Sequence, residues 1–520
     1  MVDAGQTIHL NINGRPVLAS PGETVYQAAK KAGISIPSLC VSHHLAPFGS
    51  CRLCICEIDG QSGTPASCST PVRPNMVVRI ESDRLRRHRH NIIELYLSEQ
   101  PEGSEMSGPL RELALACGVD RVRYPDGARS KRASVRDDSN PFFTFDNAAC
   151  ISCARCVRAC DEIQGTHALT MFGRGFAARP VAGPYQRSAI SDQPSARGFA
   201  DSNCVSCGAC VKECPTGALT EKTVLTQGAP TRIVRTTCAY CGVGCAFDAG
   251  VRDGRVVQMI PADDGPSNRG HACMKGRFGW TYNDAPDRLR VPLLRRGHDW
   301  EEISWESALD LVAQEFTRIK NKQGPDALAT ISSSRGSNEE NYLFAKFMRC
   351  VIGTNHIDNC ARVCHSATVT GMMETLGASA ATNSLQDLDV AQLIMVVGAN
   401  PTESHPVVGA RIKQAHRRGV PLIVIDPRRT ELARLADLHL QLRPGTNVAL
   451  LNAMGHVLVK EGLLDQVFLT ARTEGIEDWI KTVSDCTPEA AEAITGVPAH
   501  LIGQAARLYG SSRASYCCHG

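Results

Sequence analysis

Hydrophobic and polar residues alternate in two short stretches of the N-terminal region, residues 7–12 (TIHLNI) and residues 76–80 (MVVRI). Such alternation is typical of half-buried strands. The pair Asn13-Gly14 directly follows the first stretch, and this dipeptide is the strongest short-range signal of a β-hairpin. A helical patch around residues 24–32 ends at a glycine. The pattern therefore predicts a strand-rich domain over residues 1–83.

The periodicity changes twice further along the chain. Residues 84–135 resemble helices rich in arginine and histidine, and residues 130–140 are polar enough to form a linker. From about Trp305 onward, strand-like runs alternate with helical ones. The predicted strands are Ala327–Ile331, Leu393–Val397 and Leu422–Ile425, and helices are predicted from Asn338, after Pro406 and after Pro427. This alternation favours a parallel α/β sheet.

Composition excludes several classes of protein. The 520 residues are 43% hydrophobic and 21% charged, with a net charge of +3, as in an ordinary globular protein without the basic stripe of nucleic-acid binders. No apolar run approaches the roughly 20 residues of a membrane-spanning helix. The first residues show neither a signal-peptide pattern nor a twin arginine, so we expect a cytoplasmic location. The 24 cysteines are exceptional, and in a reducing compartment regularly spaced cysteines are usually metal ligands.

The first cysteine group comprises Cys40, Cys51, Cys54 and Cys68. A close pair with two cysteines on separate loops can surround a small iron–sulfur cluster, since thiolates are soft ligands suited to iron. The gaps differ from plant ferredoxin spacing and resemble the N-terminal 2Fe–2S domain of multi-cluster oxidoreductase subunits. A zinc site or unligated core cysteines is the alternative. Cys56 alternates out of the set and is predicted to be a bystander.

The second and third groups repeat one pattern, with gaps of two, two and three residues. They are Cys150, Cys153, Cys156 and Cys160, and then Cys204, Cys207, Cys210 and Cys214. This is the two-cluster ferredoxin run, in which the fourth cysteine of each group serves the other cluster. The spacing therefore predicts one 4Fe–4S site with Cys214 and a second with Cys160. Two zinc knuckles are the alternative.

The fourth group comprises Cys238, Cys241, Cys245 and Cys273, in CAYCGVGC and CMKG. A zinc ribbon is the alternative on spacing alone. CAYCGVGC, CMKG, SSSRGSNEENYLFAKFMR, RVCHS, GANPTESHP and IDPRRTELARLADLHLQLRPG occur in this order. Together they resemble the molybdenum/tungsten bis-pterin oxidoreductases, and within them the catalytic subunit of cytosolic, NAD-linked formate dehydrogenases. The resemblance covers nearly the whole chain and makes the fourth group a 4Fe–4S site.

The resemblance implies roles for further residues. Cys364 would be the protein ligand to molybdenum or tungsten, His365 would help manage the departing proton, and Lys275 would bridge the nearest cluster and a pterin. Asn338, Glu339 and Asn341 would contact a pterin of the molybdopterin cofactor. One guanine dinucleotide site would be formed by Gly398, Asn400, Pro401, Glu403, His405, Asp426, Arg428, Arg443, Pro444, Gly445 and Asn447. The strand-following loops suit such a ligand, although each polar loop residue has a turn or cap role as its alternative.

The expected fold is multidomain α+β and α/β. We expect a β-grasp 2Fe–2S ferredoxin domain (1–83), a helical segment and linker (84–135) and a two-cluster ferredoxin domain (136–222). A small 4Fe–4S domain (231–286) and an incomplete α/β molybdopterin oxidoreductase region (287–520) complete the prediction. Relatives commonly carry another 4Fe–4S cluster within the helical segment, ligated by a histidine and three cysteines. Only Cys117 is present there, beside His88 and His90, so we expect a plain basic helix without a cluster.

The expected activity is oxidation of formate to carbon dioxide at a molybdenum or tungsten bis(molybdopterin guanine dinucleotide) centre. One 2Fe–2S and three 4Fe–4S clusters would pass electrons to a separate flavin- and NAD-binding subunit, because no GxGxxG follows a predicted strand. Related enzymes continue for several hundred residues beyond position 520, so we expect the 520-residue chain to be inactive by itself. A nitrate-reductase-like oxotransferase and a non-catalytic electron-transfer subunit are the rival interpretations.

Overall fold

The computed structural model describes residues 7–42, 44–101, 108–124, 136–175, 178–183 and 198–520. The chain divides into two compact units. Unit 1 comprises residues 1–237, 245–278 and 391–520, and unit 2 comprises residues 238–244 and 279–390. Among the described residues, no helix is long and apolar enough to cross a membrane.

Unit 1 begins with a four-stranded mixed sheet in the order β2-β1-β4-β3. Its elements are β1 (Ile8–Ile12), β2 (Arg15–Ala19), α1 (Val25–Lys31), β3 (Glu57–Ile58) and β4 (Met76–Arg79). The predicted hairpin is confirmed: Asn13 and Gly14 both have positive φ, and the Gly14 amide donates to Asn11 Oδ1 at 2.7 Å. A capping box between Thr24 and Gln27 starts α1, and this helix packs its small apolar residues against the sheet.

Two helices follow, α2 (Asp83–Ser98) and α3 (Pro109–Ala116). Ser82 caps α2 by accepting from the Leu85 amide, which fixes where the helix begins. The expectation of a basic helix without a cluster stays a prediction, but Arg89 on α2 is only 3% exposed. Its guanidinium donates to the carbonyls of Leu53 and Ile55, so this arginine holds the helix to the loop that carries Cys54.

The next part of unit 1 consists of short strands and helices around the repeated cysteine groups. Its elements are β5 (Arg136–Asp137), β6 (Phe143–Asp146), α4 (Arg155–Arg158), β7 (Leu169–Phe172), β8 (Arg179–Ala182), α5 (Ala209–Glu213), β9 (Leu219–Glu221) and α6 (Lys222–Gln227). Strands β5, β6 and β9 form one antiparallel sheet, and β7 pairs with β8. A π-helical turn, Ala159–Gln164, continues α4. Phe142 stacks on Phe278 with the ring centroids 4.7 Å apart, so the segment that contains Cys273 packs here.

A three-stranded antiparallel sheet comes next, made of β10 (Arg232–Thr237), β11 (Ala246–Arg252) and β12 (Arg255–Pro261), and α7 (Met274–Phe278) follows it. Arg277 on α7 is 1% exposed and pairs with Glu221, also 1% exposed, at 2.5 Å. Gln258 on β12 donates to the same carboxylate at 2.9 Å. A buried ion pair therefore joins α7 and β12 to the end of β9.

Unit 1 ends with a parallel sheet in the order β19-β18-β17-β20. Its elements are β17 (Leu393–Val397), α11 (Pro401–Ser404), α12 (Pro406–Arg417), β18 (Leu422–Ile425), α13 (Glu431–Leu435), β19 (Leu438–Leu440), α14 (Asn447–Lys460), α15 (Gln466–Arg472), α16 (Ile476–Val483), α17 (Pro488–Thr495), α18 (Ala499–Gly510) and β20 (Ser515–His519). The predicted strands β17 and β18 are confirmed with the expected bounds. Strand β20 is not among the predicted strands, and it places Cys517 and Cys518 beside β17.

Unit 2 contains β13 (Leu293–Arg296), β14 (Asp299–Glu302), α8 (Trp305–Gln323), β15 (Thr330–Ser332), α9 (Asn338–Lys346), β16 (Ile357–Asn359) and α10 (Ala361–Leu376). Strands β15 and β16 pair in parallel. The strand predicted at residues 327–331 lies slightly further along the chain. Helix α9 begins where predicted because Ser337 and Glu340 form a capping box.

Candidate redox centres

The first cysteine group converges within the N-terminal domain. Cys40, Cys51, Cys54 and Cys68 are all 0–1% exposed. Their thiols contact one another: Cys40 lies within hydrogen-bonding reach of both Cys51 and Cys68, and Cys54 within reach of Cys68. The Leu39 amide donates to Cys51 Sγ at 3.3 Å. A backbone donor aimed at a buried cysteine sulfur is the kind of contact that supports an iron–sulfur cluster.

The electrostatics of this group also suit a bound cation. Hydrogen bonds from Cys51 and Cys68 lower the pKa of Cys40 to about 2, while the same contacts raise the pKa of Cys51 and of Cys68. One thiolate is thus favoured within a set of buried thiols. Binding of all four as thiolates requires positive charge, which iron would supply. The donor set therefore fits a 2Fe–2S cluster.

Cys56 is buried beside this group, yet its side chain is oriented differently. Its thiol donates to the Pro65 carbonyl at 3.6 Å, and burial raises its pKa to about 12. It belongs to the apolar core under the sheet. Its contacts are those of a core residue, and its place outside the ligand set stays a prediction.

The repeated groups are placed in the crossed arrangement. Cys150 and Cys214 lie near Cys153 and Cys156, whereas Cys160 lies near Cys204, Cys207 and Cys210. A small cavity is lined by the second of these sets, Cys160, Cys204, Cys207 and Cys210. Iron binding at both sites stays a prediction.

Matching backbone contacts occur in the two repeats. Ser152 and Ser206 both have positive φ, and their amides donate to Cys150 Sγ at 3.3 Å and to Cys204 Sγ at 3.4 Å. The fourth cysteine of each group also accepts a hydrogen bond from a backbone amide. The Ala168 amide donates to Cys160 Sγ at 3.1 Å, and the Leu219 amide donates to Cys214 Sγ at 3.5 Å. Such donors stabilise electron-rich sulfur.

Burial determines the protonation of these thiols. It raises the pKa of Cys153 and of Cys207 to about 12, and the pKa of Cys156 and Cys210 well above the ordinary value. At neutral pH these groups remain thiols unless a metal compensates the charge. Buried sulfur donors with amides directed at them fit 4Fe–4S clusters. No group of three or more His, Cys, Asp or Glu in the described part of the chain is placed to hold a single metal ion.

The fourth cysteine group is divided between the units. Cys238 and Cys241 belong to unit 2, and Cys245 and Cys273 belong to unit 1. Cys245 is 6% exposed. Lys275 lies on α7 with an exposed side chain, two residues after Cys273. The ligand role of these cysteines and the bridging role of Lys275 stay predictions.

The pair Cys364-His365 lies on α10 of unit 2, and both residues are exposed. His365 has φ −152° and ψ 24°, so it interrupts the helix directly after the cysteine. Asn341, on the neighbouring helix α9, donates to the carbonyls of Ser333 and Ser337. Asn338 and Glu339 are exposed on the first turn of α9. A thiolate of this kind is a suitable soft ligand for molybdenum or tungsten.

The other predicted nucleotide-binding residues follow strands of the parallel sheet in unit 1. Gly398, Asn400, Pro401, Glu403 and His405 follow β17, Asp426 and Arg428 follow β18, and Arg443, Pro444, Gly445 and Asn447 follow β19. Since β17, β18 and β19 are parallel, these loops share the carboxyl edge of the sheet, where open α/β sheets bind ligands.

Several of these side chains already have local partners. Asp426 is 5% exposed and accepts from the Arg428 amide at 2.7 Å. Arg443 donates to the carbonyls of Ala493 and Ile494 at the end of α17. Burial lowers the pKa of His405. Asp426 and Arg443 therefore make local contacts, and their roles in nucleotide binding stay predictions.

Charged residues beside the cysteines were missed at the level of sequence. Arg155 and Arg158 lie between ligand positions of the second group, and Arg277 lies four residues after Cys273. The charge of Arg277 acts on Cys207. The only sequence signal was the presence of arginine within CARCVRAC, and arginines are more often solvated than buried.

Comparison with known proteins agrees with this layout. Residues 288–510 match the family described as molybdopterin oxidoreductase, residues 231–284 its Fe4S4 domain, residues 149–218 a 4Fe–4S dicluster domain and residues 5–83 a 2Fe–2S cluster binding domain. These matches confirm the predicted fold class.

Curated relatives extend the same similarity. A Bacillus subtilis (strain 168) protein named "Probable oxidoreductase YjgC" is 32% identical, with 97% of this chain and 54% of the relative aligned. A Staphylococcus aureus protein named "Putative formate dehydrogenase SAB2186c" is 30% identical, with 94% and 53% aligned. The chain thus spans about half the length of these relatives. The solved structure of acetylene hydratase from Pelobacter acetylenicus matches at 28% identity and a TM-score of 0.49, over 55% of this chain and 40% of that one.

Proposed function

We propose that the chain is part of a formate dehydrogenase of the molybdopterin oxidoreductase family, because residues 288–510 match the model of that family and other segments match 2Fe–2S and 4Fe–4S domain models. The proposed reaction removes two electrons and one proton from formate and releases carbon dioxide. The relatives named as formate dehydrogenases support this substrate at about 30% identity.

The observation that carries the proposal is the Cys364-His365 pair within the molybdopterin oxidoreductase segment. The helix is interrupted at His365, so the cysteine and the imidazole are not held in an ordinary helical repeat. Both side chains are exposed and can therefore be reached by a cofactor. Thiolate is a soft metal ligand, and imidazole is the side chain best suited to proton transfer near neutral pH.

The residues of this chain would perform three tasks. When bound, a molybdenum or tungsten bis(molybdopterin guanine dinucleotide) group would accept the two electrons of formate. Cys364 would hold the metal, and His365 would accept the departing proton and release it to water. The loops after β17, β18 and β19 would bind the nucleotide part, with Gly398 and Gly445 in positive-φ conformations that let backbone approach a phosphate.

The cysteine groups would provide the path for single electrons. The fourth group would connect through the ferredoxin sites to the first group, where a separate flavin- and NAD-binding subunit would accept them. Amides directed at Cys51, Cys150, Cys160, Cys204 and Cys214 support this role, because such donors favour the reduced cluster.

Two rivals remain distinguishable. A nitrate-reductase-like oxotransferase also uses a cysteine ligand, but His365 disfavours that interpretation. A non-catalytic electron-transfer subunit would bind iron without molybdenum or tungsten, and it gives Cys364 no role. Metal analysis distinguishes the proposed enzyme from the electron-transfer subunit. We expect one 2Fe–2S and three 4Fe–4S clusters, about 14 iron atoms per chain, together with molybdenum or tungsten. Iron alone would contradict the proposal, and about 18 iron atoms would indicate a further cluster.

The decisive variant is Cys364→Ala in the holoenzyme. Formate oxidation should be abolished while the iron content and the electron paramagnetic resonance signals of the clusters persist, since the change touches only the metal ligand. Cys350→Ala is the matched control, because Cys350 is also exposed in unit 2 and has no assigned role. A Cys364→Ala enzyme with most of its activity would refute the assignment.

A further inference from the structure

Arg155 lies between two predicted ligands of the first ferredoxin site, Cys153 and Cys156. Its side chain is 13% exposed, and its guanidinium pairs with Glu213 at 2.6 Å. Glu213 is itself 4% exposed. A buried and paired guanidinium has little freedom to move, so its remaining donors point in fixed directions.

One of those donors reaches the first cysteine group. Arg155 Nη1 donates to the Leu39 carbonyl at 3.1 Å, and the Leu39 amide donates to Cys51 Sγ at 3.3 Å. The backbone amide of Arg155 itself donates to the Cys153 thiol. Three hydrogen bonds, joined by covalent bonds of Leu39 and Arg155, thus connect a sulfur of one site with a sulfur of the other.

Packing brings the same two groups together. Cys40 and Cys51 share one apolar cluster with Cys153. The side chain of Tyr96 lies within the electrostatic range of these three cysteines, and its hydroxyl donates to the Cys51 carbonyl at 3.3 Å. The first ferredoxin site is therefore the direct neighbour of the 2Fe–2S site.

A second arginine, Arg158, also connects the 2Fe–2S domain to the ferredoxin domain. Arg158 donates to the Cys40 carbonyl at 3.5 Å and to the Ala46 carbonyl, and Glu162 holds it at 2.9 Å. Both arginines thus bind carbonyls of residues 39–46, the loop that carries Cys40. This loop is positioned by α4 of the ferredoxin domain, in addition to its own sheet.

We propose that Arg155 is a positioning residue for electron transfer, which fixes the 2Fe–2S site against the first ferredoxin site so that electrons pass directly between them. This inference rests on the proposed electron-transfer function. In each step one electron leaves the reduced 4Fe–4S cluster and enters the oxidised 2Fe–2S cluster, with no bond made or broken.

The test compares Arg155→Lys with the parent chain, both carrying their clusters. Lysine keeps the charge but cannot bind Glu213 and the Leu39 carbonyl with a planar fork. Electrons are introduced by pulsed photoreduction, so formate and the molybdenum site are not involved. Freeze-quenched samples are examined by electron paramagnetic resonance. We expect the 2Fe–2S cluster to be reduced at least tenfold more slowly, with weaker spin coupling between the two clusters and unchanged iron content.

Arg136→Gln is the matched control, because Arg136 lies in the same domain in an exposed ion pair with Asp138. The double variant Arg155→Gln/Glu213→Gln removes the ion pair without leaving a buried carboxylate unpaired, and it should slow reduction of the 2Fe–2S cluster as Arg155→Lys does. A rate within twofold of the parent and an unchanged spin coupling in Arg155→Lys would overturn the proposal.

If Arg155→Lys loses iron, Glu213→Gln replaces it, since that change removes only the anchor of the guanidinium. The same slowing is expected there, and a parental rate would again overturn the proposal. Failure of formate to reduce the holoenzyme would instead refute the proposed function and leave this result intact.

Discussion

The buried ion pair between Arg277 and Glu221 offers the sharpest test of how unit 1 is held together. Both side chains are 0–1% exposed, and the guanidinium and carboxylate are 2.5 Å apart. Glu221→Gln keeps the size of the side chain and removes its charge, so Arg277 remains buried without a counter-charge. Breaking a buried pair from one side typically destabilises a protein by about 3–5 kcal/mol.

That magnitude can be converted into a measurable shift. With an m value of about 3 kcal/mol per M urea, the unfolding midpoint should fall by about 1–1.7 M. Anaerobic urea unfolding followed by circular dichroism measures it, at one protein concentration and incubation time for all variants. Asp59→Asn is the control, because the Arg79–Asp59 pair is 2.7 Å long but 49–55% exposed and should contribute less than about 1 kcal/mol.

A second variant separates lost charge from lost packing. Arg277→Met/Glu221→Leu replaces the pair with apolar groups, and such replacements are often close to neutral. We therefore expect this double variant to regain most of the stability that Glu221→Gln loses. If Glu221→Gln shifts the midpoint no more than Asp59→Asn does, the pair does not hold α7 to β9 and the reasoning is wrong.

Two further predictions concern the parallel sheet and a domain junction. A Cβ at Gly409 would lie 2.8 Å from Thr402 Cα, so Gly409→Ala should destabilise unit 1 by about 1–3 kcal/mol and weaken cofactor retention. Urea unfolding measures the stability, and molybdenum or tungsten content measures the retention. Gly371→Ala is the control: a Cβ there would lie in open space on α10, so both quantities should be unchanged or slightly improved. Hydrogen bonds from Lys212 and His44 outweigh burial and lower the pKa of Asp263 to about 2. A lowered carboxyl pKa stabilises the fold above the ordinary value of 3.8 and stops doing so as the pH falls through about 2. Asp263→Asn should therefore lose about 1 kcal/mol, allowing for a half-exposed carboxylate, and the loss should persist from about pH 8 to about pH 5; a loss that vanishes within that range would contradict this assignment.

Local signals explain why much of the fold could be predicted from sequence. The Asn13-Gly14 hairpin and the start of α9 depend on residues three or fewer positions apart, so the sequence contains everything that decides them. Strands β17 and β18 are continuous apolar runs, as buried parallel strands require. Strand β20 was missed because SYCCH shows neither an apolar run nor alternation, and its place is decided by pairing with β17.

For the candidate sites, the sequence predicts the cysteine ligands but not the charged residues that surround them. Spacing within about ten residues identifies a cysteine group, because a cluster restricts how far its ligands can separate. The partners of Arg155 lie 58 and 116 residues away, and no local pattern specifies them. Exposure could not be predicted either: an arginine among cysteines is expected on the surface, yet the side chain of Arg277 is 1% exposed.

These paired or hydrogen-bonded charges share one geometric property, which is that each connects segments far apart in the sequence. Arg155 and Arg158 bind the loop of residues 39–46, Arg277 binds the end of β9, and Lys212 pairs with Asp263. Apolar packing alone tolerates small sliding between surfaces, whereas a charge-assisted hydrogen bond is lost when its atoms separate or rotate. In the proposed function, electrons pass between the cysteine groups, and such transfer depends on the separation of the centres. A set of directional bonds at each junction therefore maintains that separation more closely than apolar contact would, which gives a functional reason for burying arginine beside the cysteine groups.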